Sequence, residues 1–246
     1  DQPNIDPARS GLLGTCVGGS FALMAAAHPL IRDQVAFVGA YAPFSSMWTF
    51  AADIASQTRD ISGTRQPWAV DQLTRRVFVH SLTALLDPAE AEWFRAAERR
   101  ALAEGGVQSR ILPPGPPPTP LSSPGQLLYD LLAAPTYAAA TDALRCLPSE
   151  FQQRLTAMSP LTYLSDSSRG ICAPLITLLH DRSDNLIPIS ESRQLVAALK
   201  NHPCIHYTEM NFSHLDPTKG RLPLGRLLRE FAKFYRGVYP IFNQTS

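Results

Sequence analysis

Leu12-Leu13-Gly14-Thr15-Cys16-Val17-Gly18-Gly19-Ser20 is the stretch on which the reading of this chain turns. Ser10 to Thr15 is short and strand-like, and Gly18 to His28 reads as a helix rich in Ala, Leu and Met. A strand thus runs through Gly-x-Cys-x-Gly-Gly directly into a helix, which is a nucleophile elbow with Cys in the Ser position. The nucleophile of such a turn sits in a strained conformation. Gly14 and Gly18 are therefore expected to lack a Cβ to avoid collision, and Gly19 to let the helix pack close to the sheet. Cys16 Sγ would be exposed at a helix N-terminus, where backbone N–H groups and the dipole favour thiolate. Val17 N–H would form one half of an oxyanion hole. Two plainer readings stand beside this one. A dinucleotide-type phosphate turn is disfavoured by the missing GxGxxG spacing and by the lack of an acid after the next strand. A tight turn around a buried, inert Cys fits the same nine residues, so the motif alone does not decide.

Outward from the elbow, strands alternate with helices. Val35 to Tyr41 (VAFVGAY) reads as a buried strand closed by Pro43. Pro174 to His180 (PLITLLH) is another, followed by a helix near 190–200, and Cys204 to Met210 (CIHYTEM) is a fourth. A final amphipathic helix carries Leu224, Leu227, Leu228, Phe231, Phe234 and Tyr235 at spacings of three and four. This order predicts an α/β fold, a mostly parallel sheet with flanking helices. Residues 47–158 read as a mostly helical insert, with a core formed by 1–46 and 159–246. Asp87-Pro88-Ala89-Glu90 is a helix start with an N-cap, an early Pro and a capping-box Glu, and Trp93, Phe94 and Ala97 follow as an apolar stripe. The Pro-rich run 111–125 reads as a stiff, irregular loop.

Two further constellations follow predicted strands. His180-Asp181-Arg182-Ser183-Asp184 comes after PLITLLH, and Phe212-Ser213-His214 after CIHYTEM. A thiol nucleophile needs an imidazole base, and the imidazole needs a carboxylate to fix its tautomer. Cys16, Asp184 and His214 stand in the order nucleophile, acid, base, each in a loop at the C-terminal end of a strand, where open α/β sheets place their sites.

Composition limits the alternatives. The 246 residues are 45% hydrophobic and balance 22 Lys+Arg against 21 Asp+Glu, a formal charge of +1. That balance gives no footprint for nucleic acid or an anionic membrane. The apolar stretch from Gly11 to Ala27 is too short and too glycine-rich to span a bilayer. Cys16, Cys146, Cys172 and Cys204 show no metal-ligand spacing and are too sparse for a disulfide scaffold, which points to a reducing, cytoplasmic setting. No metal and no cofactor are implied.

The Gly14-x-Cys16-x-Gly18-Gly19 elbow resembles that of the α/β hydrolases, and within them the dienelactone-hydrolase-like branch, which commonly uses Cys there. Asp6-Pro7-Ala8-Arg9 resembles the entry into that family's fifth strand. Ser159 to Leu164, Ala173-Pro174 and Asp184-x-x-Ile187-Pro188 resemble its approach to the seventh strand and the acid. The resemblance implies Cys16 as nucleophile, Asp184 as acid and His214 as base. Asp181 is the fallback acid, His180 a structural residue, and His202 and His206 weaker base candidates. It also implies about four strands ahead of the elbow, so the chain is expected to be the C-terminal portion of a longer hydrolase with an exposed sheet edge open to association.

The expected activity is hydrolysis of a small carboxylic ester or lactone through an acyl-enzyme on Cys16. Trp48, Trp68, Trp93, Phe50 and Phe78 of the insert, read as a cap, would offer apolar surface to the substrate or else pack the insert's own core. The alternative from another class is a non-catalytic, hydrolase-like binding or assembly module, or an inactive fragment.

Overall fold

The computed structural model of the chain describes residues 10–112, 117, 120–164, 170–211 and 224–244. In chain order, β1 (Gly11–Thr15), α1 (Val17–Ala26) and β2 (Phe37–Tyr41) come first. They are followed by α2 (Met47–Ser56), β3 (Thr58–Ile61), β4 (Thr64–Pro67), α3 (Gln72–Thr83), α4 (Pro88–Gly105), α5 (Ser123–Leu132), α6 (Tyr137–Cys146) and α7 (Ser149–Ala157). Then come α8 (Pro160–Leu164), β5 (Leu175–Asp181), α9 (Ile189–Ala198), β6 (Ile205–Met210) and α10 (Leu224–Gln244). The chain divides into two compact units, 1–46 with 159–246, and 47–158.

The first unit is α/β, a parallel sheet of order β1-β2-β5-β6 with flanking helices. Its register aligns Thr15 with Tyr41, Tyr41 with Leu179, and Asp181 with Met210. Leu23 and Ala26 of α1 and Leu195 of α9 pack with Val38, Ile176 and Leu178 on one face. Ile241 of α10 packs with Phe37 and Leu175 on the other. The two apolar sets alternate along β2 and β5, as the period of two demands. Sandwiched strands must be apolar on both sides, which is why VAFVGAY and PLITLLH read as unbroken hydrophobic runs. All seven residues of β5 are buried. Among the described residues β1 pairs on one side only, with β2, and its Leu13 is 67% exposed.

The second unit is helical with one hairpin that the sequence reading missed. Ser62 and Gly63, both at positive φ (54° and 84°), join β3 to antiparallel β4. Two consecutive left-handed residues match the twist of paired strands, and Ser-Gly is a turn dipeptide that signals them. Asp87 caps α4 through Ala89 N–H at 2.8 Å. Glu90 does not close a capping box; its carboxylate accepts instead from the backbone N–H and, at 2.7 Å, the hydroxyl of Ser122, the N-cap of α5. Much of the Pro-rich run lies outside the described residues. Its end departs from expectation, because Ser123, Pro124 and Gly125 form the first turn of α5, where a proline's missing N–H costs nothing. Phe50, Trp68, Phe78 and Phe94 are buried, with the Phe50 and Trp68 rings 6.3 Å apart and Trp93 edge-on to Phe94 at 4.8 Å. These aromatics pack the insert's own core. Arg75, fully buried, holds the 106–110 segment by donating to the carbonyls of Ser109 (3.0 Å) and Arg110 (3.1 Å).

Candidate functional site

The C-terminal ends of the parallel strands gather the chemistry of the first unit. Cys16 follows β1 directly, Tyr41 ends β2, and Asp181 ends β5, with Asp184 three residues on. Cys16 N–H donates to Tyr41 O and Ala42 N–H to Leu179 O, both at 2.7 Å, so the ladder reaches one residue past β1 and β2.

Cys16 is the N-cap of α1 at φ 54°, ψ −128°. A side chain at that φ is strained, by about 1–3 kcal/mol, and persists only where the surroundings impose it. The imposing contacts are visible. Cys16 O accepts from Gly19 N–H (2.9 Å) and Ser20 N–H (3.3 Å), which folds the helix back over the strand. A Cβ on Gly14 would lie 2.1 Å from Gly18 O, and one on Gly19 would lie 3.1 Å from Gly14 O. Gly14 and Gly19 therefore hold the close approach the sequence predicted. Gly18 does not: a Cβ there meets nothing within 4 Å among the described residues, because position 18 faces outward.

Burial pushes the Cys16 thiol up, a hydrogen bond from Val17 N–H opposes the rise, and the charge of Asp184 adds to it. Against the expected preference for thiolate at the helix N-terminus, these surroundings favour the neutral thiol. Desolvation outweighs the single N–H, and a nearby carboxylate works against a second negative charge. Asp184 thus lies within electrostatic reach of the thiol.

Asp184 is 2% exposed. Its Oδ1 accepts from Leu186 N–H (2.7 Å) and Ile187 N–H (3.2 Å), so the carboxylate is held by the turn that it begins. Asp181, the fallback acid, is occupied with that same turn, accepting from the N–H (2.8 Å) and hydroxyl (2.7 Å) of Ser183. His180 is fully buried and structural. Its Nε2 lies 3.0 Å from Ile187 O and must carry the proton to donate there, which leaves Nδ1 to accept from Ser192 Oγ at 2.6 Å. His202 and His206 are at the wrong end of the sheet. His202 Nε2 lies 3.0 Å from Ala173 O before β5, and His206 Nε2 lies 3.5 Å from Cys204 Sγ at the start of β6. His214 lies outside the described residues, as do Phe212, Ser213 and the stretch Asp6 to Arg9.

Three features of this edge were not anticipated. The Tyr41 phenol is pushed up to about 12 by burial and then by the charges of Asp181 and Asp184, which sets it in the same acidic surroundings as the thiol. The loop after β2 is pinned from two helices. Ser20 Oγ donates to Phe44 O (3.0 Å) and accepts from Phe44 N–H (2.9 Å). Buried Glu191 accepts from the Ser45 N–H (2.7 Å), the Ser45 hydroxyl (2.6 Å) and the Ser46 N–H (3.2 Å). Position at the end of VAFVGAY was the signal available for Tyr41; nothing in the sequence paired Ser45 with Glu191.

Among the described residues no cluster of three or more His, Cys, Asp or Glu could hold a metal ion, and no helix is long and apolar enough to cross a membrane. None of the four cysteines is in a disulfide.

No protein-family model and no curated protein matches the chain. Similar solved structures include the uncomplexed acylaminoacyl peptidase of Pyrococcus horikoshii, at 15% identity and a TM-score of 0.44 over 96% of this chain. They also include the native tannin acyl hydrolase of Lactobacillus plantarum, at 17% identity and a TM-score of 0.37 over 88% of this chain and 64% of that one. The chain spans 25% of the length of the acylaminoacyl peptidase.

Proposed function

We propose that the chain carries the nucleophile, acid and base of an α/β-hydrolase-type acyl hydrolase, dienelactone-hydrolase-like in its use of cysteine. The substrate class is a small carboxylic ester or lactone. The observation that carries the reading is the backbone of Cys16, left-handed in a non-glycine residue at a strand-to-helix turn on the C-terminal edge of a parallel sheet. Strain of that kind gathers where a side chain must be presented in one direction.

The thiol of Cys16 attacks the ester carbonyl carbon as His214 takes its proton. A raised thiol makes that base necessary, since little free thiolate exists at neutral pH. The bond that forms is S–C, and the carbonyl electrons move to oxygen, where Val17 N–H turns from the thiol to the oxyanion. Collapse of the intermediate breaks the C–O bond, and His214 returns its proton to the departing alcohol. Water, deprotonated by the same imidazole, then attacks the thioester carbonyl; the S–C bond breaks, the carboxylic acid leaves and the imidazole returns its proton to the Cys16 sulfur. Asp184, fixed by Leu186 and Ile187 N–H groups, orients the imidazole and stabilises its cation.

The test is steady-state hydrolysis of a short activated ester by the chain, by Cys16→Ala and by His214→Ala. The reading expects turnover in the parent and at least a hundredfold loss in both variants. A folded parent with no turnover would contradict it and favour the binding-module alternative.

A further inference from the structure

The outer face of α10 is apolar. A helix lying on a sheet should turn polar residues outward. The side of α10 turned to the sheet carries Glu230, Gly237 and Ile241, which are buried. The outward side carries Leu228 (61% exposed), Tyr235 (59%) and Tyr239 (45%), with exposed Ala232 between them. The spacings of four, three and four residues set these positions on one continuous stripe. The Tyr235 and Tyr239 rings lie 5.4 Å apart along it.

Charge is distributed just as unevenly. The chain as a whole is +1, yet the sequence of α10 holds Arg226, Arg229, Lys233 and Arg236 against one acid, Glu230. That acid is withdrawn from the surface. It is buried, accepting from Asn211 N–H (2.8 Å) and Lys233 Nζ (2.7 Å). Arg229 and Arg236 are exposed, and at 100° per residue they border the apolar stripe on the side away from the sheet. A 21-residue helix with a Leu/Tyr stripe, a basic border and no exposed acid has the make-up of a helix that lies in a membrane interface. It does not need to span the bilayer: the stripe enters the boundary between headgroups and acyl chains, and the arginines reach the phosphates.

We infer that α10 docks this protein in-plane on an anionic lipid surface through the Leu228–Tyr235–Tyr239 stripe and its Arg229/Arg236 border. A second copy of the chain is the competing occupant. It is disfavoured because two such helices placed stripe to stripe bring their arginines together with no exposed acid of α10 to answer them.

The experiment is co-sedimentation of the full chain with vesicles of phosphatidylcholine alone and with about a third phosphatidylserine, with sedimentation velocity run in parallel. The parent should bind the anionic vesicles and lose that binding at high salt. Tyr235→Glu should abolish binding, and Arg229→Glu with Arg236→Glu should weaken it by at least about tenfold. Both variants should keep the parent's circular dichroism. Leu30→Glu, which removes a hydrophobe exposed elsewhere, should bind as the parent does. Equal binding to neutral and anionic vesicles would overturn the inference. So would a discrete dimer that Tyr235→Glu dissociates while vesicle binding is absent.

Discussion

A Cβ placed on Gly14 would fall 2.1 Å from the carbonyl oxygen of Gly18, whereas one placed on Gly18 would touch nothing within 4 Å among the described residues. The two glycines of the elbow are therefore not equivalent. Gly14→Ala should cost about 1–3 kcal/mol, because the backbone of the α1 turn has to move. Gly18→Ala should stay within about 0.5 kcal/mol of the parent, as an outward position in a first helical turn tolerates Ala. Denaturation midpoints of the two variants, measured side by side, check the asymmetry.

Cys16 is held at φ 54°, a conformation that only glycine adopts without strain. Cys16→Gly should raise stability by about 1 kcal/mol while removing all reaction with activated esters. Cys16→Ala removes the same chemistry without relieving the backbone, so its melting temperature should lie below that of Cys16→Gly.

Asp184 raises the Cys16 thiol electrostatically and, in the proposed mechanism, serves it through the imidazole. These two effects are separable. Alkylation of Cys16 by iodoacetamide should rise with pH to a midpoint above the ordinary thiol value of about 8.5. Asp184→Asn removes a negative charge near the thiol, so its midpoint should fall and alkylation at neutral pH should quicken. Ester turnover should drop in the same variant, by roughly a hundredfold or more, because the imidazole loses its anchor.

How much of this was legible beforehand depended on whether the signal was local. The four strands of the sheet were, because burial on both faces forces apolar runs such as VAFVGAY and PLITLLH. The Cys16 turn was too, because Gly14 and Gly19 leave a written trace of a close backbone approach. Gly18 carried the same letter without the same cause. The upward push on the thiol was not legible, because helix N–H groups can be read from a sequence, whereas the burial of Cys16 and the nearness of Asp184 arise only on folding. The Ser45–Glu191 clamp and the rerouting of Glu90 to Ser122 join residues far apart in the chain or in competition for one partner, and no periodicity reports either.

Glu209 on β6 anchors a charged cluster, receiving Arg193 Nε at 2.8 Å, Arg182 Nε at 2.6 Å and Tyr207 Oη at 3.0 Å. The hydrogen bond from Arg193 is the largest influence, and the cluster pulls the carboxyl down to about 2. A depressed carboxyl stabilises the fold fully above its unfolded value of about 4.3 and loses that contribution as pH falls toward about 2. Glu209→Gln should cost about 1–3 kcal/mol at pH 7. It should also flatten the pH dependence of stability between those two values, measured by urea denaturation across the range.

Cys16 as the nucleophile is the claim on which the functional account stands, and intact-protein mass spectrometry after brief exposure to an activated short-chain ester, quenched in acid, tests it most directly. The account predicts a mass increase of one acyl group, mapped by peptide digestion to Cys16, absent in Cys16→Ala and much slower to form in His214→Ala. An adduct on Cys146, Cys172 or Cys204 in place of Cys16, or one that forms equally fast without His214, would contradict it.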